Sequence, residues 1–263
     1  MMRLWKGLAA VGLVLVVCAV AFGEVPLDRR FAHADRLQKE GLLDDAIEAY
    51  KEAASFTDDS EMKARAHCEM GSCLKKKRKY QDALVHYMKV FEVYRGTRRA
   101  DALYEMAKLY RDCLRKPALA AESLDQVARL FPKHERASDA LYESGQIKES
   151  RKEYEGAIEI YNRNVDTYPK SPAAELSLAC VAEITYKRQN RPLDAVKVWE
   201  KFARMYPESL VPALYNAAQI LEKQKQFKGA IEAYKAFMDA HPDHKLTPNA
   251  RKRHDSLLAK YGK

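Results

Sequence analysis

Six times along the chain an alanine opens the same run of apolar and polar positions, in DDAIEAYKEAASF from residue 44, QDALVHYMKVFEVY from 81 and LAAESLDQVARLFP from 119. EGAIEIYNRNVDTYP from 155, LDAVKVWEKFARMYP from 193 and KGAIEAYKAFMDAHP from 228 complete the set. Aligned on Ala46, Ala83, Ala120, Ala157, Ala195 and Ala230, the intervals are 37, 37, 37, 38 and 35 residues. Within a copy, Ala157, Ile158, Tyr161, Val165 and Tyr168 fall on one stripe at 3.6 residues per turn, which predicts an amphipathic helix. The leading alanine has almost no side chain, so a second helix can cross close to its backbone. Pro132, Pro169, Pro207 and Pro242 follow twelve residues after their alanines. Proline has no N–H and disfavours helix in the residue before it, so each of these helices is expected to end there.

Between the copies lies a second pattern. ADALYEMAKLY, SDALYESGQIK and PALYNAAQILE begin at residues 100, 138 and 212, and in the first of them Leu103, Ala107 and Tyr110 recur at i, i+4 and i+7. Asp59-Ser60, Ser171-Pro172 and Thr247-Pro248 supply N-caps for these helices. The repeat is therefore helix, turn, helix, with Pro117 and Pro192 lengthening the turn inside the third and fifth pairs by about one residue. Leu246 to Tyr261 reads as a capping helix, with Leu257, Leu258 and Tyr261 against Arg251, Lys252 and Arg253.

At these residues the chain resembles the tetratricopeptide repeat family. The matching positions are Gly71, Tyr80, Ala83 and Tyr87; Gly145, Tyr154, Ala157 and Tyr161; and Ala218, Phe227, Ala230 and Tyr234. The resemblance implies an all-α fold, a right-handed α-solenoid of about six hairpins over residues 24–245, closed by a capping helix over 246–263. Long repeats and links such as YPKSPAAE look like the periplasmic branch of the family, the proteins of outer-membrane assembly and of the Tol-Pal system. A clean lipobox and an N-terminal coiled coil, found in members of that branch, are missing. The resemblance further implies that the first helix of each pair lines a concave groove, which carries Tyr104, Tyr142, Tyr215 and Tyr186 to groove-facing places. There a tyrosine offers a large apolar face at low entropic cost to a peptide; packing on the next repeat is the competing role. Lys75, Lys76, Lys108 and Arg111 fall on the same face, and Glu149, Glu183 and Glu222 further along it, so the resemblance implies a partner segment of acidic character.

Composition adds the compartment. Residues 1–23 join Arg3 and Lys6 to an unbroken apolar run from Gly7 to Gly23, the form of a signal peptide cleaved before Glu24. Lipidation at Cys18 and retention as a membrane anchor are the alternatives, and all three place the rest of the chain outside the cytoplasm. Without Arg3 and Lys6 the formal charge falls from +9 to +7, which suits acidic proteins or anionic lipid and polymer, nucleic acid being demoted by compartment. Of the remaining cysteines, Cys73 and Cys113 form the one pairing worth testing. G-x-S-x-G, P-loop, G-x-G-x-x-G, H-E-x-x-H and paired C-x-x-C motifs are all absent, so no catalytic residue, metal or cofactor is expected. The reading is a non-enzymatic exported scaffold that binds an envelope protein or peptide in its groove, with peripheral membrane association as a further feature. Direct binding of peptidoglycan, lipopolysaccharide or another anionic envelope component is the alternative.

Overall fold

A computed structural model describes residues 25–209 and 211–262, and within them the chain forms thirteen α-helices and no strand. The predicted leader lies outside the described residues. Two compact units divide at Leu109 and Tyr110. The N-terminal unit holds α1 (Leu27–Glu40) paired with α2 (Leu43–Ser55), α3 (Ser60–Lys76) paired with α4 (Tyr80–Val93), and α5 (Arg98–Lys108), which continues into a π-helical turn over Leu109–Cys113. In the C-terminal unit follow α6 (Pro117–Leu130), α7 (Ala137–Ser150) with α8 (Tyr154–Thr167), α9 (Pro172–Lys187) with α10 (Pro192–Met205), and α11 (Ala213–Lys223) with α12 (Phe227–Ala240). The capping helix is α13 (Thr247–Tyr261), packed on α12. Each helix in this unit packs on the next, and α7 also touches α9, so the first helices of successive hairpins lie side by side.

The six marker alanines are wholly buried. Four residues on, Tyr50, Tyr87, Tyr161 and Tyr234 are among the largest fully buried side chains. An aromatic ring from the second helix thus fills the space that small residues on the first helix leave open. Gly145 faces Tyr161 in this way, and a Cβ there would stand 2.4 Å from the ring. Where the tyrosine hydroxyl needs a partner, the first helix supplies one: Tyr50 Oη donates to Asp35 at 2.6 Å and to Gln38 at 3.0 Å, Tyr161 to Glu149 at 3.3 Å and Tyr234 to Glu222 at 3.1 Å.

The predicted stops hold. The second helices of pairs three to six end at Leu130, Thr167, Met205 and Ala240, and the residue before each proline leaves helical geometry, with ψ between 52 and 65°. Two of the three predicted caps also form. Asp59 accepts from the N–H groups of Glu61 and Met62, and Ser171 from that of Ala174. Thr247 is a correction: it is the first helical residue of α13, preceded by Leu246, and its hydroxyl donates backwards to the His241 carbonyl at 2.6 Å. Buried behind α12, it ties the link to the helix end instead of capping.

Every turn inside a hairpin has a left-handed residue two places before the second helix. These are Gly41, Arg78, Arg115, Lys152, Asn190 and Lys225, with φ between 52 and 82°. In hairpins one, two, four and six the next N–H reaches a carbonyl five residues back, the 6→1 bond that closes a helix end. Hairpins three and five reach six back, from Lys116 to Tyr110 and from Arg191 to Thr185. The extra residue expected from Pro117 and Pro192 is therefore present. The third hairpin takes it up in the π turn, the fifth in a longer link.

One buried polar cluster joins two hairpins. The wholly buried Asn164 accepts from Ser138 Oγ at 2.8 Å and donates to Ser177 Oγ at 2.9 Å, and Ser138 also meets Ser171. Cys68, Cys73, Cys113 and Cys180 are free thiols. Burial pushes the Cys180 thiol up to about 11 and the Cys68 thiol up to about 12, which leaves both unreactive.

Candidate functional site

The tyrosines singled out in the sequence occupy different surroundings. Tyr104 on α5 is 8% exposed, with Lys108 Nζ 5.9 Å from its ring centre. Tyr142 on α7 is half-buried, its ring 6.0 Å from that of Tyr161. Tyr215 on α11 packs edge-on to Tyr234 at 5.6 Å and tilts against Phe237 at 5.5 Å. These three rings join the packing between helices. Tyr186, near the end of α9, instead stands at the rim of a cleft, where its hydroxyl accepts from Lys223 Nζ at 3.3 Å.

That cleft, about 270 Å³, opens between α9 and α11, the first helices of hairpins five and six. Glu183, Tyr186 and Lys187 come from α9, and Asn216, Gln219 and Lys223 from α11. Trp199 of α10 and Ile220 of α11 contribute the apolar lining. Helical spacing explains the rim, since Asn216, Gln219 and Lys223 stand three and four residues apart and share one face. Carboxamides, a phenol and an ammonium around an apolar floor can hydrogen-bond a peptide backbone and bury one side chain beneath it. Asn216, Gln219 and Lys223 were missed in the sequence because polar residues at exposed helix positions carry no distinguishing pattern.

The basic positions are engaged by carboxylates. In the N-terminal unit Lys75 and Lys108 both bind Glu105, at 2.9 and 3.1 Å. Burial works to raise the Glu105 carboxyl, but its hydrogen bonds and charge pairing with Lys75 and then Lys108 outweigh burial and hold it below the usual carboxylate range. Arg111, in the C-terminal unit, is paired with Asp112 at 2.7 Å and with Glu143. Lys76 is exposed and makes no ion pair among the described residues. The positive field expected from the four cations is correspondingly reduced. Glu105 could have been found from its i, i+3 relation to Lys108.

A second polar feature lies in the N-terminal unit. His67 on α3 and His86 on α4 meet Nδ1 to Nδ1 at 2.9 Å, and the His67 ring stacks on Tyr94 at 5.6 Å. One nitrogen donates and the other accepts, so both rings cannot be protonated while the bond lasts. Burial first, then the charges of Lys89 and His86, push His67 from 6.5 down to about 4, and burial with Lys89 lowers His86 against the opposing pull of Asp82. In the unfolded chain both rings take up protons near 6.5, so the unfolded state binds more protons between about 4 and 6.5. The stability this pair contributes is complete above pH 6.5 and falls as the pH drops towards 4. Melting curves from pH 7.5 to 5 should show this decline, and His86→Gln should flatten it; an unchanged slope would remove the pair as its source. Among the described residues no group of three or more His, Cys, Asp or Glu side chains could hold a metal ion.

Comparison with known proteins agrees with this architecture. Residues 104–172 and 184–245 match the family model described as Tetratricopeptide repeat. No curated protein sequence matches the chain. Among solved structures, a tetratricopeptide repeat protein from Parabacteroides merdae aligns over 89% of this chain and 91% of its own, with 16% identity and a TM-score of 0.50. A MamA protein aligns over 68% of this chain and 91% of its own, with 20% identity and a TM-score of 0.50. At these identities the likeness speaks for the fold. The helical hairpins, the turn geometry and the family match converge: the chain belongs to the tetratricopeptide repeat family, with the all-α solenoid fold of that family.

Proposed function

We propose that the chain is a non-enzymatic scaffold of the bacterial cell envelope that captures an extended segment of a partner protein. Tetratricopeptide repeats mediate protein–protein contacts, and the observation that carries the reading to this chain is the cleft between α9 and α11. It combines a buried indole with hydrogen-bonding groups on two parallel helices. Lys187 is paired with Glu183 at 2.6 Å, so Lys223, which makes no ion pair among the described residues, is the cation that favours a segment bearing a carboxylate, and the leader-like N-terminus favours an extracytoplasmic site.

Trp5 and Trp199 are the two tryptophans of the sequence, so a chain beginning at Glu24 reports on the cleft through Trp199 alone. Titration with acidic peptides should shift its emission, and basic or neutral peptides of equal length should not. Combined Tyr186→Ala and Lys223→Ala should weaken binding by about tenfold or more, as loss of an aromatic contact and one charge-assisted hydrogen bond implies. An undiminished affinity would rule the cleft out.

A further inference from the structure

Five of the six turns inside the hairpins carry basic residues, and four of them place one at the left-handed position. A left-handed backbone is cheapest for glycine, yet Arg78, Arg115, Lys152 and Lys225 stand there, each exposed and without an ion pair among the described residues. A cation kept at a disfavoured conformation in four of six hairpins points to a use for its charge.

Topology gathers these charges within the C-terminal unit. Its helices alternate in direction and pack in sequence, so residues 114–116, 151–153, 188–191 and 224–226 emerge at one edge and the links between hairpins at the other. The first edge holds Arg115 and Lys116, Arg151 and Lys152, Arg188 and Arg191, and Lys225, against Glu153, which pairs with Arg151, and Asp194, which pairs with Arg191. At the second, Lys133, Arg136, Lys170 and Lys245 face Glu135, Glu208 and Asp243, so charge nearly cancels. Leu119 and Leu193, 40% and 43% exposed, stand in the first turns of α6 and α10, directly after two of the basic turns. Leu130 and Leu176 are as exposed at the other edge but lie beside links of little net charge.

We propose that the edge formed by these hairpin turns docks the C-terminal unit on an anionic phospholipid surface. Lysine and arginine tips meet the headgroups, and Leu119 and Leu193 enter the interface between them. Apolar side chains among the cations favour lipid over nucleic acid, whose backbone offers them nothing. Among the described residues no helix is long and apolar enough to cross a membrane. This docking is independent of the cleft between α9 and α11.

The test uses the chain from Glu24, which keeps every described helix, with vesicles of phosphatidylglycerol in phosphatidylcholine and of phosphatidylcholine alone. Binding should need phosphatidylglycerol and fade with salt. Combined Arg115→Gly, Lys152→Gly and Lys225→Gly should raise the melting temperature while lowering vesicle partitioning on the order of 100-fold, from the usual contribution of a surface cation. The opposite signs exclude misfolding as the cause. Lys133→Gln, Lys170→Gln and Lys245→Gln, which remove the same charge from the other edge, should lower it far less. Equal losses from the two triple variants, equal binding to uncharged vesicles, or tighter binding to a DNA duplex than to phosphatidylglycerol would overturn the proposal.

Discussion

Gly145→Ala should lower the stability of the C-terminal unit by about 2 kcal/mol, although alanine is the better helix former by about 1 kcal/mol. The added Cβ would stand 2.4 Å from Cε1 and 2.7 Å from Cδ1 of Tyr161, a ring that is wholly buried. That ring cannot swing aside freely: its hydroxyl is held by Glu149, and Tyr142 packs 6.0 Å away. At Gly71 the same substitution would meet Tyr87 at 2.9 Å, a smaller intrusion with a smaller expected loss. Hairpin six has Ala218 at the equivalent position, wholly buried, so that hairpin is already built around one more methyl group. Thermal and urea melts of Gly145→Ala, Tyr161→Leu and the double variant would test this. The double variant should recover part of the alanine penalty, because removing the ring vacates the space the methyl needs; strict additivity would contradict the packing account.

Asn164→Leu should be at least as damaging, at about 3 kcal/mol, even though both side chains branch at Cγ. Asn164 is wholly buried and serves Ser138 on α7 and Ser177 on α9 at once. Leucine takes away the acceptor of one serine and the donor to the other. Ser177 keeps its bond to the Ala173 carbonyl and Ser138 keeps Ser171, so the loss stays below that of two fully orphaned hydroxyls, each about 1–3 kcal/mol. Adding Ser138→Ala and Ser177→Ala should restore much of the stability by removing the unmatched groups. Hydrogen exchange should show the first loss of protection in α7, α8 and α9; uniform loss across the C-terminal unit would argue against a local role.

Much of this architecture is written in single residues. The six alanines and the prolines twelve residues after four of them fix where helices cross and where they stop, because each acts through an intrinsic property: a missing side chain or a missing N–H. The extra residue of hairpins three and five was equally legible from Pro117 and Pro192. Its accommodation was not, since a π turn at Leu109–Cys113 and a longer link at 188–191 satisfy the same count. Thr247 shows the limit for caps, because Thr-Pro suits both N-cap with N1 and N1 with N2, and the nearby His241 carbonyl decides. Side-chain direction was read least well. Ala-Leu-Tyr recurs on three first helices, yet Tyr104 is nearly covered while Tyr215 leans on Phe237, because each ring settles against whatever the neighbouring helix presents. The cleft between α9 and α11 needs Trp199 from a third helix, a proximity that no local pattern announces. The left-handed cations of the hairpin turns look in sequence like ordinary solvated charge.

The tyrosine latches inside hairpins one, four and six bear on how such a chain grows. Each latch joins two residues of one hairpin, Tyr50 to Asp35 and Gln38, Tyr161 to Glu149, and Tyr234 to Glu222. A gene duplication that copies one of these units copies both halves of its fastening and delivers a piece already complete. Hairpins three and five have Leu124 and Trp199 where the tyrosine would stand, and a copy of either would arrive without that fastening. Inheritance by whole units is therefore easier from some positions of the array than from others.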